Sequence, residues 1–305
     1  MPPLRVAVQP VEADFAVDAV HRAGGEVVGI DDGPDALVWL DPADVDGLAR
    51  AATVPTLRWI QLPFAGVERV AAAGLLDEAR TWTCAKGAYA EPVAEHALAL
   101  ALAGLRVLPV RVAARSWGKQ AGTSLFGERV TIVGGGGIAR VLAQLLEPFG
   151  TELTVVRRDP SPFPGAARTL AASRLDEALP GALVVFLALA LTPETTGLFG
   201  SEQFAHMDER AWLVNVARGR HVDTDALVAA LDSGSIAGAA LDVTDPEPLP
   251  DGHPLWGRDN VIITPHTADT LEMVMPLLGE RIATNVERFM AGQELVGLVD
   301  PAAGY

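Results

Sequence analysis

Three segments of the chain hold residue types suited to proton transfer and anion binding, each directly after an apolar run. In "VIITPHTADT" the run stops at Pro265 and the next side chain is His266. Proline cannot continue a hydrogen-bonded ladder, so a side chain just beyond it belongs at the mouth of a sheet. Imidazole changes charge near neutral pH, which suits acid–base work. "ALDVTDPEPLP" places Asp242 in a strand and Glu247 in a proline-rich loop beyond it. "VNVARGRHVDTDAL" places Arg218 after a strand and before a helix that Asp223 or Thr224 would cap. Taken singly, Arg218 fits a surface ion pair, Glu247 an exposed loop and His266 a structural imidazole. Taken together they share one rim, because ligands of an open parallel sheet bind outside the carboxyl ends of its strands.

A fourth segment, "TIVGGGGIARVLAQLL", reads as strand, glycine turn and amphipathic helix. Gly134-x-Gly136-x-x-Ala139 fits the dinucleotide fingerprint: a tight turn, a close backbone approach to pyrophosphate, and a small residue where helix meets strand. Gly137 and Ile138 open the helix, whose first N–H groups would face the phosphates. An NAD site usually has an acid at the end of the next strand to grip the ribose 2′-hydroxyl. Here "TVVRRDP" puts Arg157 and Arg158 there, which suits a 2′-phosphate and favours NADP; the neighbouring Asp159 leaves NAD open.

The elements that must position these residues alternate between strand and helix patterns, which indicates α/β units around parallel sheets. "LRVAV", "EVVGI", "ALVWL", "LRWIQL" and "TWTCA" read as strands, with helical spacing between them. The apolar-striped segment "PVAEHALALALAGLRVLPVRVAARSW" reads as one long helix that Pro109 bends or splits. A second strand series follows, "RVTIVG", "ELTVVR", "LVVFLAL", "WLVNVA", "GAALDV" and "VIIT", and then a final helix, "LEMVMPLLGERIATNVERFMAG", crossing back to the first half. The expected organisation is two Rossmann-like doubly wound domains with a cleft between them. Residues 1–94 plus 275–305 form the first, and 95–274 the dinucleotide-binding domain.

The chain has 305 residues, 39 acidic against 23 basic, and a formal net charge of −16. That balance disfavours nucleic acid and anionic membranes, so an anionic ligand must be held by local Arg, Lys or backbone N–H groups. Cys84 is the only cysteine, which excludes an intrachain disulfide and fits a reducing cytoplasm. "MPPLRVAVQP" lacks a signal-peptide core, and the longest apolar runs are about half the ~20 residues of a membrane helix. No metal-ligand pattern stands out.

The ordered segments "VAEHALALALAGLR", "IVGGGGIA", "LTPETTGLFG", "LVNVARGRHVDTDALVAAL", "GAALDVTDPEPLP", "HPLW", "NVIITPH" and "NVERFMAG" resemble the D-isomer-specific 2-hydroxyacid dehydrogenases over nearly the whole chain. The resemblance implies a flavodoxin-like substrate domain beside an NAD(P)-binding domain, and a small 2-keto or 2-hydroxy acid as substrate. It implies a catalytic set of Arg218, Glu247 and His266, with Asp242 contacting the nicotinamide carboxamide. His266 as imidazolium would give a proton to the keto oxygen. Glu247 would fix its tautomer and favour its protonated form. Arg218 would hold the carboxylate and polarise the carbonyl. Backbone N–H groups of Ala65, Gly66 and Val67, in the position of the family's "GV" loop, would also receive the carboxylate. Phe64, Lys86 and Tyr89 line the pocket in this reading without a defined role.

The resemblance further implies a homodimer joined through the cofactor domain and its long helix, unless that apolar stripe is buried within one chain. Glyoxylate and hydroxypyruvate are the expected substrates, by analogy with arginine-bearing, NADPH-using members. Two positions depart from the pattern: Leu183 replaces an acid at the start of "LVVFLAL", and Ala190 replaces a proline before "LT". Both are expected near the cofactor. No appended regulatory domain is expected. The alternatives are a catalytically silent nucleotide sensor and a dehydrogenase of formate or phosphite with the same fold.

Overall fold

The structure is a computed structural model that describes residues 2–301. Met1 and residues 302–305, which the sequence assigns to the first domain, lie outside the described residues. The chain divides into two compact units, Met1–Tyr89 with Thr270–Tyr305, and Ala90–Asp269. Each division falls five residues ahead of the boundary read from the sequence.

The first unit holds a parallel five-stranded sheet of β1 (Arg5–Gln9), β2 (Glu26–Val27), β3 (Ala36–Trp39), β4 (Trp59–Gln61) and β5 (Thr81–Thr83). Its order, β2-β1-β3-β4-β5, is the flavodoxin-like doubly wound order. Helices α1 (Asp14–Arg22), α2 (Val45–Ala51) and α3 (Glu68–Ala72) connect the strands. Trp59, Ile60, Trp82 and Leu37 are buried in the core. A buried polar chain crosses that core. The Trp59 indole donates to the Thr83 hydroxyl, which donates to the Gln61 carbonyl oxygen, and Asn285 of the last helix donates to the same oxygen.

The second unit begins with α4 (Ala90–Leu105) and α5 (Leu108–Ala113). Its seven-stranded sheet comprises β6 (Arg129–Val133), β7 (Glu152–Arg157), β8 (Arg168–Ala171), β9 (Val184–Leu187), β10 (Trp212–Asn215), β11 (Gly238–Leu241) and β12 (Val261–Ile263). Helices α6 (Gly137–Leu146), α7 (Ser201–His206) and α8 (Thr224–Ser233) lie between strands, and α9 (Leu271–Met290) returns to the first unit and packs on α1. All pairings are parallel, in the order β12-β11-β10-β9-β6-β7-β8. The chain reverses direction across the sheet between β6 and β9, which is where a doubly wound sheet opens a crevice. The inner strands β9, β10 and β11 are buried at every position, so they read as unbroken apolar runs.

Pro109 splits the long helix as expected. It has no N–H for the Leu105 carbonyl, which instead accepts from the Thr123 amide. Val107 takes a left-handed φ of 54° at the break. The second piece stops at Ala113, so the expected helix through Trp117 is corrected: Ala114 is already extended, with ψ of 145°. The sequence pattern also misses β8. That strand is a four-residue edge with an exposed arginine, and it has no apolar run to announce it.

Candidate active site

Arg218, Asp242 and His266 all lie just beyond the carboxyl ends of strands, after β10, β11 and β12 respectively. Arg218 is half-buried and opens a tight 3-10 turn over Gly219–His221. Asn215, at the end of β10, fixes the entry to this turn. Its side-chain nitrogen donates to the Arg218 carbonyl at 2.9 Å, and its oxygen accepts from the Ala217 amide at 3.0 Å. Asp223 caps α8 immediately downstream by accepting from the Ala226 amide. The "NxxR" spacing carried Asn215 in plain view, and the loop it closes is a local one.

Thr264 and Pro265 end β12, and His266 takes a left-handed φ of 49°. The His266 Nδ1 lies 2.7 Å from Glu247 Oε1, with the two side chains 45% and 42% exposed. They meet at the solvent side of the rim.

Asp242 sits directly beneath, 1% exposed. Its Oδ1 accepts from the Thr264 hydroxyl at 2.6 Å and the Thr267 amide at 2.9 Å, and its Oδ2 from the Ala268 amide at 3.0 Å. His96 of α4 approaches both Thr264 Oγ1 and Asp242 Oδ1, at 3.1 and 3.4 Å. Burial pushes this carboxyl up, but the bonds from His96, Thr264, Thr267 and Ala268 outweigh burial and hold it down at about 2. The His266 amide donates to the Asp242 carbonyl, so one aspartate anchors the turn that presents the histidine. Asp269, half-buried just after it, is raised by burial; His266 and Arg218 pull it down and Asp242 pushes it up. Sequence reasoning did not single out His96 for this role, because its partner lies some 150 residues downstream and only the fold joins them.

The glycine turn leaves β6 at the crevice. Gly134 has a φ of 122°, and a Cβ there would fall 2.1 Å from the Ala188 carbonyl oxygen, so no other residue fits. A Cβ on Gly136 would meet nothing within 4 Å, which leaves open space over the amino end of α6. Ala139 is fully buried against the sheet. The first-turn N–H groups of Gly137 and Ile138 have no preceding helical carbonyl to bond. A pyrophosphate fits this cradle on both space and donors.

Arg157, at the end of β7, lies over Gly135, pairs with Asp159 at 3.1 Å and faces the Phe163 ring. Arg158 is exposed and helps lower the Glu194 carboxyl, after the larger effects of Thr192 and the Glu194 backbone N–H.

In the first unit, Ala65, Gly66 and Val67 form the turn between β4 and α3. This turn is pinned from behind. The Ala85 amide donates to the Phe64 carbonyl, and the Tyr89 hydroxyl donates to Pro63. Arg281 of α9 donates to the carbonyls of Cys84 and Lys86.

The profile of a family described as "D-isomer specific 2-hydroxyacid dehydrogenase, NAD binding domain" matches residues 97–268, more than half the chain. The chain belongs to the D-isomer-specific 2-hydroxyacid dehydrogenase family. This is a family of oxidoreductases.

Relatives bear the membership out. An uncharacterized protein in the proB 3′ region of Corynebacterium melassecola is 40% identical over 82% of this chain and 84% of its own. The glyoxylate/hydroxypyruvate reductase A of Serratia proteamaculans is 37% identical over 58% of this chain, a match spanning only 56% of that relative. The crystal structure of a D-isomer-specific 2-hydroxyacid dehydrogenase from Xanthobacter autotrophicus Py2, in complex with NADPH and MES, superimposes with a TM-score of 0.85. It is 29% identical and covers 100% of both chains.

In this 2-hydroxyacid dehydrogenase the two departures from the family pattern fall at opposite ends of β9. Leu183 precedes the strand and is buried, its amide bonded to the Arg129 carbonyl. The expectation that it borders the cofactor is therefore corrected: a strand's length separates it from the carboxyl rim. Ala190 does lie in the loop that leaves that rim, and its carbonyl accepts from the Thr195 hydroxyl.

Proposed function

We propose that this dehydrogenase reduces a short 2-keto acid, of the glyoxylate or hydroxypyruvate type, to its D-2-hydroxy acid, with NADPH preferred over NADH. The observation that carries the reading is the 2.7 Å contact between His266 Nδ1 and Glu247 Oε1, on the sheet rim that also carries the glycine turn. A reduced nicotinamide, when bound, supplies the hydride. Glu247 holds Nδ1, so Nε2 is the nitrogen that gives the proton to the substrate's keto oxygen. Arg218 binds the carboxylate through its planar fork.

The Gly134–Ala139 cradle takes the pyrophosphate, and Arg157 and Arg158 take the 2′-phosphate. The NADPH-bound relative and the glyoxylate/hydroxypyruvate reductase support this choice of cofactor and substrate class. By the family pattern Asp242 would contact the nicotinamide carboxamide, and its carboxylate anchors the His266 turn. The site operates in the reducing cytoplasm, consistent with a single cysteine.

A homodimer is part of the reading. Most of the apolar stripe of α4 is buried within its own unit, including Val93, Ala97, Leu100 and Leu105. The reading assigns the surface for a second copy to α5 and the segment after it, a choice supported by the exposure of Leu108, Val112, Trp117 and Phe126, Trp117 at 97%.

The deciding experiment is nicotinamide oxidation by the purified protein over a panel of 2-keto acids, NADPH against NADH. Turnover of a short keto acid with NADPH is expected. Tight cofactor binding without turnover of any keto acid would overturn the reading.

A further inference from the structure

His221 is fully buried, three residues past Arg218, and no part of the reaction above uses it. Buried imidazoles need partners, and this ring finds them in a different strand's loop. Its Nδ1 lies 2.9 Å from the Thr195 carbonyl and its Nε2 3.3 Å from the Leu189 carbonyl. Both acceptors belong to the loop that leaves the carboxyl end of β9. That loop borders the glycine turn directly, since the Ala188 carbonyl is the atom that a side chain on Gly134 would strike.

The Leu189–Thr195 loop is already a unit of its own. The Thr195 hydroxyl donates to Ala190, the Thr192 amide donates to that hydroxyl, and the Thr195 and Thr196 amides donate back to Thr192. At its other end, His221 closes the Arg218 turn through its amide, which donates to the Arg218 carbonyl. The ring therefore adds a side-chain tie between the rim beside the cofactor cradle and the turn that sets the arginine, next to the backbone bonds from Gly197 to Arg220 and from Phe199 to His221 that pair the segment after the loop.

We propose that His221 is a positioning residue: it holds the Leu189–Thr195 loop in register with Arg218, so that the cofactor and the substrate carboxylate are presented together. The proposal deepens the functional reading above and rests on it. A carbonyl only accepts, so the tie needs a ring N–H, which a neutral imidazole carries on one nitrogen only, and an apolar residue of similar size cannot supply it.

The test compares His221→Leu, which removes the ring N–H, with His221→Asn, whose amide nitrogen overlays Nδ1 and keeps a donor toward Thr195. Two readouts are needed: NADPH affinity by fluorescence titration without keto acid, and the split between KM and kcat on glyoxylate. His221→Leu is expected to weaken NADPH and raise the keto-acid KM, each about tenfold, with kcat changed less. His221→Asn is expected to recover most of both losses. A folded His221→Leu with both constants within about twofold of wild type, or a His221→Asn no better than the leucine variant, overturns the proposal.

If His221→Leu does not fold, His221→Asn is set against His221→Gln, whose amide overlays Nε2 and reaches only the longer contact. The glutamine variant should be the weaker binder, and equality of the two overturns the tether. Should the wild-type protein bind no NADPH, it is the functional reading that fails. Hydrogen exchange of residues 188–196 then tests the tether alone: faster exchange in His221→Asn or His221→Leu supports it, and unchanged exchange sinks it.

Discussion

Each side chain in this site is set by a neighbour that leaves it one role. Glu247 occupies Nδ1 of His266, so in the proposed reaction the opposite nitrogen gives the proton. His266→Ala is expected to lower turnover by about 10²- to 10⁴-fold while NADPH affinity stays within about threefold. Turnover within a few-fold of wild type would remove His266 from the chemistry. Glu247→Gln keeps a hydrogen bond to Nδ1 but lets the amide present either its oxygen or its nitrogen to the ring, so turnover is expected to fall about tenfold or more with NADPH affinity unchanged. Wild-type turnover would count against the pairing. Arg157→Ala with Arg158→Ala should weaken NADPH about tenfold or more and NADH little, because only the phosphate presents a charge to a guanidinium fork. Equal losses for the two cofactors, measured by titration, would place the arginines elsewhere.

Strands supply the positions and short turns the orientation. The His266 turn is anchored by Asp242, whose carboxyl is lowered from 3.8 to about 2. A lowered carboxyl contributes stability that is full above the unfolded value and is lost as pH falls through the folded one. The loss therefore runs from about pH 4 down to about 2. A shift of this size corresponds to about 2 kcal/mol. Asp242→Asn should lower Tm at neutral pH, and the gap from wild type should narrow below pH 3; a gap constant with pH would assign the anchoring to shape rather than charge. Much of this was legible beforehand. Proline after an apolar run announced the end of β12, and the glycine spacing announced the β6–α6 turn. The partners of Asp242 were not legible, because His96 and Thr264 are distant along the chain and only the packing of α4 beside β11 and β12 joins them.

At the scale of the molecule, a net charge of −16 must still admit an anionic cofactor and an anionic substrate. In the proposed reading the counter-charge comes from cations placed locally at strand ends, Arg157, Arg158 and Arg218, rather than from a basic surface. Among the described residues no helix is long and apolar enough to cross a membrane. The exposed apolar side chains of α5 and the following segment call for cover of another kind. If the proposed homodimer forms through this surface, Val112→Glu combined with Trp117→Glu is expected to give a monomer in sedimentation velocity, with each unit still folded. A dimer that survives the double substitution would move the interface away from α5.

The sequence by itself determined the fold class, the cofactor cradle and the identity of the rim residues. These depend on local rules: the period of apolar residues, the turn that only glycine makes, and the stop that proline imposes. Tertiary structure decided which side chains hold those residues still. It placed Asp242 under the His266 turn, and it ran the His221 ring between two loops. Such contacts join segments far apart in the chain through backbone carbonyls and amides. Nearly every residue carries those groups, so no residue type in the sequence marks where they will meet.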